Sequence, residues 1–222
     1  MVRDELYYNL LMLACAQKLY IFCGMANPEI ILLGGAPGSG KSTIGKRVVK
    51  KNFPEGVRHL AIGDLKRDIV AGKVPSAYAE MLQQREHPDR KTGAAPSEAM
   101  TGIMEEFILA RPGGLTIVDG FPRYMDRVKP FQESMQRIGA EVLALVTVEV
   151  PEVVLIERLT DRPTRPGQKI QDPLERLADH RDNIVPTLEA LAVDYEHHEL
   201  DGTLPIDFNA DYLGRIYTYH RF

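Results

Sequence analysis

One nine-residue stretch, Gly35-Ala36-Pro37-Gly38-Ser39-Gly40-Lys41-Ser42-Thr43, constrains what this chain can fold into more than any other. An unbroken apolar run at 30–33 precedes it, and a segment with helical periodicity at 43–50 follows. The stretch fits the pattern G-x-x-x-x-G-K-[ST] in its strand–loop–helix setting. Glycines are required because such a loop wraps an anion with backbone N–H groups and leaves no room for Cβ atoms. The helix after it points the positive end of its dipole at the same anion. Gly35, Gly38, Ser39, Gly40, Lys41, Ser42 and Thr43 therefore form a candidate cradle for nucleotide phosphates. Lys41 would reach the β and γ phosphates, and Ser42 would face Mg²⁺.

Further apolar runs at 115–118 and 142–150, with weaker ones at 57–62 and 195–200, read as strands. Continuous apolar runs suit strands buried on both faces of a parallel sheet. Between them, 97–109, 123–138, 152–159 and 174–191 carry helical periodicity. Strands alternating with helices predict an α/β fold of the P-loop NTPase kind, a parallel sheet sandwiched by helices. Two Pro-, Gly- and charge-rich stretches, 71–96 and 162–173, interrupt the alternation and read as flaps or surface loops.

Composition removes several alternatives. A net charge of −4 gives no support for nucleic-acid binding over the whole surface, so an anionic substrate needs a local cluster of Lys and Arg. Cys15 and Cys23 lie eight apart, which is not a zinc spacing, and read as free thiols of a cytoplasmic protein. Residues 10–16 are apolar but too short to span a bilayer, and Asp4 and Glu5 spoil a signal peptide. Leu6, Leu10, Leu13 and Ile21 instead suggest an extra N-terminal amphipathic helix over 1–28.

Four further groups bear on chemistry. Asp119 ends an apolar strand, where a buried carboxylate has no stabilising role, and a position beside the loop would let it hold Mg²⁺. Gly120, Phe121, Pro122 and Arg123 follow it, and Arg123 can clamp a phosphate bidentately at the edge of the sheet where ligands bind. Arg67, in Gly63-Asp64-Leu65-Lys66-Arg67, lies past another strand's carboxyl end and is a second phosphate ligand. Arg158, Arg162, Arg165, Lys169 and Arg176 form a basic group suited to the charge of a migrating phosphoryl. Arg158 and Arg162 share one helix face. Glu196-His197-His198-Glu199 invites a metal reading, but adjacent strand residues face opposite ways, so it reads as a polar strand end.

Taken together, GAPGSGKST, GDLKR and DGFPR, followed by IERLTDR and QDPLERLADHR, resemble the nucleoside monophosphate kinases, adenylate kinase most closely, over 30–213. The resemblance implies a core over 29–222 with an inserted acceptor-binding lobe at about 63–100 and a short lid at about 162–174. It implies that Gly38 to Thr43 bind ATP phosphates, that Arg67 and Arg123 hold the acceptor phosphate, and that Gly93 to Glu98 support the acceptor base. It implies that Arg158 and Arg162 serve ATP and the transferred phosphate, with Arg176 a second transfer-site arginine; Lys41, Arg123, Arg162 and Arg176 are then the catalytic set.

Two positions at the acceptor base depart from the adenylate kinase pattern. Arg127 stands where Gln or Asn is usual, and Ile62 where Thr or Ser is usual. The expected activity is Mg²⁺-dependent, reversible transfer of the ATP γ-phosphoryl to a nucleoside monophosphate, AMP first. A kinase for UMP, CMP or another monophosphate is the alternative, and a non-catalytic nucleotide sensor the alternative of another class. Small nucleotides are the expected partners, with neither nucleic acid nor membrane, and a monomer is the simplest assembly.

Overall fold

The computed structural model describes residues 27–83, 95–110, 113–161 and 172–221. The N-terminal extension with Cys15 and Cys23, together with all of 84–94 and of 162–171, which includes Arg162, Arg165 and Lys169, lies outside them.

Five strands form one parallel sheet in the order β2-β3-β1-β4-β5: β1 Glu29–Gly35, β2 Arg58–Ala61, β3 Leu115–Asp119, β4 Glu141–Glu149 and β5 His197–Asp201. All five apolar runs of the sequence are strands. The helices between them are α1 Lys41–Lys51, α2 Ile62–Val70, α3 Ser97–Leu109, α4 Val128–Ile138, α5 Glu152–Thr160, α6 Pro173–Asp179, α7 Val185–Asp194 and α8 Ile206–Arg221.

Side-chain alternation along β1 divides the core between the two faces of the sheet. Ile30 and Leu32 pack with Ile103, Met104 and Phe131 of α3 and α4. Ile31 and Leu33 pack on the other face with Ile44 and Val48 of α1 and Leu213 of α8. Ile30, Ile31, Leu32 and Leu33 are at most 2% exposed, which explains why this strand is apolar without a break. Each such side chain contributes about 1.5–3 kcal/mol by leaving water.

The helical segment expected at 174–191 is interrupted by a π turn at His180–Ile184, between α6 and α7. Pro186 has no N–H and its ring crowds the carbonyl four residues back, Asp182, so the regular ladder cannot run through. The slip to wider hydrogen bonding turns the helix at this point, and π turns of this kind are frequent at functional sites.

Register sets where the site lies. Leu33 of β1 is level with Asp119 of β3, and Asp119 with Ala61 of β2. The three carboxyl ends therefore open at one edge, beside the residue pair Gly34 and Thr147 of β1 and β4.

Candidate functional site

The loop after β1 takes its shape from backbone that only glycine adopts readily. Gly35, Gly38 and Gly40 have φ of 129°, 90° and 95°. A Cβ on Gly35 would stand 2.6 Å from the Val148 carbonyl oxygen, so no other residue fits beside β4. Gly40 caps α1, its carbonyl accepting from the N–H groups of Thr43 and Ile44 at 2.9 Å each. Lys41 Nζ donates to the Ala36 carbonyl across the loop at 3.0 Å. Ser39 Oγ is buried with no hydrogen-bond partner among the described residues.

Asp119 is 5% exposed and accepts a hydrogen bond on Oδ2 from Ser42 Oγ. His59 Nε2 stands 3.4 Å from the same oxygen. Burial raises the Asp119 carboxyl's pKa, but the His59 imidazole, the Lys41 charge and the Ser42 hydroxyl outweigh it, and the net shift is downward. An ionised carboxylate and a hydroxyl thus meet at the mouth of the loop. Oxygen donors of this kind suit Mg²⁺, so the residues present fit that ion. Sequence reading passed over His59; its one signal is an imidazole inside an apolar strand. Gly45 in α1 makes room for it, since a Cβ there would lie 2.4 Å from the ring.

Arginines surround this edge. Arg158 donates to the carbonyls of Gly38, at 3.4 Å, and Gly202, at 3.1 Å, and so joins the loop to the turn after β5. Arg123 is exposed, its guanidinium 3.9 Å from Asp179 of α6. Arg176 is half-buried on the same helix. Arg67 pairs with Asp64, one turn earlier on α2.

Gly120 follows Asp119 with φ 76°, and its N–H donates to the Leu33 carbonyl at 3.2 Å. Pro122 is buried, and Phe121, 3% exposed, packs edge-on against Phe131 at 6.2 Å. Arg127 is 3% exposed; its guanidinium donates to the Ala95 carbonyl at 2.6 Å and stacks 5.1 Å from the Tyr124 ring. Ile62 is 3% exposed and sits in the core with Leu60 and Ile69. Arg162 lies outside the described residues.

One more group belongs here. His180, at the start of the π turn, has a buried Nε2 with no partner among the described residues. Burial, then the charges of Lys41 and Arg123, push its imidazole down to about 4, so a neutral ring stands among the cations. It follows Arg176 by four residues, and that shared helix face was its only trace in the sequence.

The chain as a whole is similar to known proteins. The family model described as adenylate kinase matches residues 32–203, more than three quarters of the chain. The chain is 34% identical over 135 residues to an adenylate kinase of Staphylococcus epidermidis, the match covering 60% of this chain and 58% of that one. It is 31% identical over 133 residues to an adenylate kinase of Carboxydothermus hydrogenoformans, with the same coverage. The chain thus spans a little under three fifths of the length of these relatives. A shikimate kinase from Acinetobacter baumannii, solved with shikimate, shares the fold at a TM-score of 0.54 and 14% identity, covering 93% of this chain and 99% of its own.

Proposed function

Because the chain belongs to the adenylate kinase family, we propose that it transfers the γ-phosphoryl of ATP to a nucleoside monophosphate, AMP first, giving two diphosphates. The observation that carries this reading is the meeting of Lys41, Ser42 and Asp119 at one sheet edge, with Arg123 and Arg158 beside them. A pure nucleotide sensor needs the loop but not the arginines.

In this reading the N–H groups of residues 38–43 and Lys41 hold the β and γ phosphates. Lys41 turns from the Ala36 carbonyl to the phosphates when ATP enters. Mg²⁺ would be held by Ser42 and Asp119, where it supplies neutralisation of phosphate charge. The nucleophile is a phosphate oxygen of the acceptor, already ionised at neutral pH, so no protein general base is required. Arg123 and Arg67 grip the acceptor phosphate, and Arg67 exchanges Asp64 for it. Arg162 and Arg176 neutralise the oxygens of the migrating group, and Arg158 serves the adenine face of ATP. His180, kept neutral, adds no further charge to this cluster.

Arg127 gives the acceptor side its own character. It holds the Ala95 backbone, part of the stretch assigned to the acceptor base, and so acts on the base through that backbone. With Ile62 in the core, selectivity rests on the position of residues 95–98 more than on a side chain at 62. The acceptor-binding lobe at about 63–100, the lid at about 162–174, a cytoplasmic setting and a monomeric state belong to the same proposal. Among the described residues no helix is long and apolar enough to cross a membrane.

The test is ADP formation from ATP, followed in a coupled assay with AMP, UMP, CMP, GMP and dTMP in turn. Turnover with AMP above the others is expected. A pyrimidine preference would replace AMP as the acceptor, and no turnover with any of the five would refute the reading.

A further inference from the structure

At the opposite end of the sheet from the phosphate loop, three side chains converge that the phosphoryl-transfer reading does not use. Glu196 precedes β5, His198 lies within it, and His220 is on the last turn of α8. His198 and Leu200 share a strand face, the one packed beneath α8, whereas His197 faces the other way and hydrogen-bonds Thr147 Oγ1 at 3.0 Å. The two adjacent histidines therefore do not share a target, but the second meets a histidine from a distant helix.

The geometry is that of a ligand set. One donor atom from each of Glu196, His198 and His220 lies within 4.8 Å of the others. Glu196 Oε1 is 3.2 Å from His198 Nε2, and Glu196 Oε2 is 3.6 Å from His220 Nε2. Each histidine thus stands from one carboxylate oxygen at close to the roughly 3.4 Å that separates neighbouring ligands of a tetrahedral zinc ion with bonds of about 2.1 Å. The imidazoles stand edge to face, centroids 6.1 Å apart at 88°. Both Nε2 atoms are buried, and neither makes a hydrogen bond among the described residues. Two buried ring nitrogens left without hydrogen bonds around one carboxylate are costly unless something occupies the space between them.

We propose that Glu196, His198 and His220 form a binding site for a divalent transition-metal ion of the zinc class, clamping the end of α8 to the start of β5. Two imidazoles and a carboxylate are borderline-soft donors that favour Zn²⁺ over Mg²⁺ or Ca²⁺, which prefer all-oxygen shells. Three protein ligands leave a fourth position for water. Glu196, half exposed, provides the way in. The site stands apart from the nucleotide edge: Gly202, past the far end of β5, abuts Ser39, and Ile206 at the head of α8 lies against Gly40. It is independent of the phosphoryl-transfer reading, and either can fail without the other.

Zinc chloride titrated into the full chain by calorimetry tests it, with His198→Ala, His220→Ala and Glu196→Gln beside the parent. The parent is expected to bind one ion that all three variants lose or bind more weakly by at least the roughly 10–100-fold that even outer-shell partners are worth. Zinc should raise the parent's melting temperature and not that of His220→Ala, while excess Mg²⁺ does not displace the ion. Should His198→Ala fail to fold, His220→Ala decides, because its side chain lies at the end of the helix. Zinc affinity and stoichiometry unchanged in His220→Ala, or no zinc bound by the parent, would overturn the proposal.

Discussion

Around the phosphate loop, shape comes from backbone: Gly35, Gly38 and Gly40 set the turns, β4 leaves no space for a Cβ, and α1 starts on the Gly40 carbonyl. Across the same sheet edge, the side proposed for the acceptor is built from long side chains. Arg67 leans on Asp64, Arg123 reaches toward Asp179, and Arg127 holds Ala95. The first side presents its donors already aimed, because backbone N–H groups cannot swing away. On the second, in the proposed reading, Arg67 and Arg123 leave or share an internal carboxylate to take a phosphate, whereas Arg127 keeps its place and acts on the base through the backbone. A cradle of backbone suits a phosphate chain common to every ATP, while side-chain partners can be retuned for different acceptors.

The largest expected effect strikes the preformed side. Lys41→Met should lower kcat about a thousandfold, since in the proposed reading it removes the loop's own cation for the β and γ phosphates. Steady-state kinetics with ATP and AMP measure it; a loss of tenfold or less would mean the loop backbone suffices.

Gly35→Ala tests whether the loop's shape is obligatory. With φ of 129° and a Cβ 2.6 Å from the Val148 oxygen, it should cost about 2–3 kcal/mol in thermal or denaturant unfolding. Wild-type stability would mean that β4 gives way easily and that the cradle is not fixed by packing.

On the adjustable side the effect is smaller and selective. Arg127→Gln should raise the acceptor KM about tenfold and change the ranking of monophosphates, with the KM for ATP unmoved. An equal rise for ATP would break the division into two halves.

His180 supplies the smallest. Its folded pKa, lowered to about 4 from 6.5, means that between those values the unfolded chain binds a proton the native chain refuses. Stability therefore rises with pH across that window and declines on acidification from 6.5 toward 4. The ring is partly open to solvent, which discounts the effect to about 1 kcal/mol. His180→Asn should flatten that part of the stability–pH curve, and an unchanged slope would assign the acid sensitivity elsewhere.

The comparison also separates what the sequence could reveal from what it could not. Backbone-built features leave a local record. The glycine spacing, the run at 30–33 and Asp119 at the end of a strand are adjacent in the chain, and all were legible. The inner strands β1, β3 and β4, buried on both faces, are largely apolar and read plainly, whereas the edge strands β2 and β5 carry polar residues and left a weaker trace. Features made by distant residues left almost none. His59 meets Asp119 only because β2 lies beside β3, and Gly45 opposite it looks like any helical glycine. Arg127 reads as a departure at a base-contacting position, yet its partner is a backbone carbonyl 32 residues away. The interruption at His180–Ile184 is hidden because both flanking helices keep their apolar period, and Pro186 is its one marker. The helix α8 was not anticipated, its buried Ala210, Leu213, Ile216 and Tyr217 being spaced among polar and aromatic residues. The pairing of His198 with His220 depends wholly on how that helix returns along β5.

The claim that donor and acceptor phosphates are held by separate machinery is tested most directly by Arg123→Ala, with turnover and ATP affinity measured on the same preparation. A fall in kcat of more than about a hundredfold is expected, with the Kd for ATP within about twofold of the parent. A parallel loss of ATP binding would contradict it, because Arg123 would then belong to the donor half.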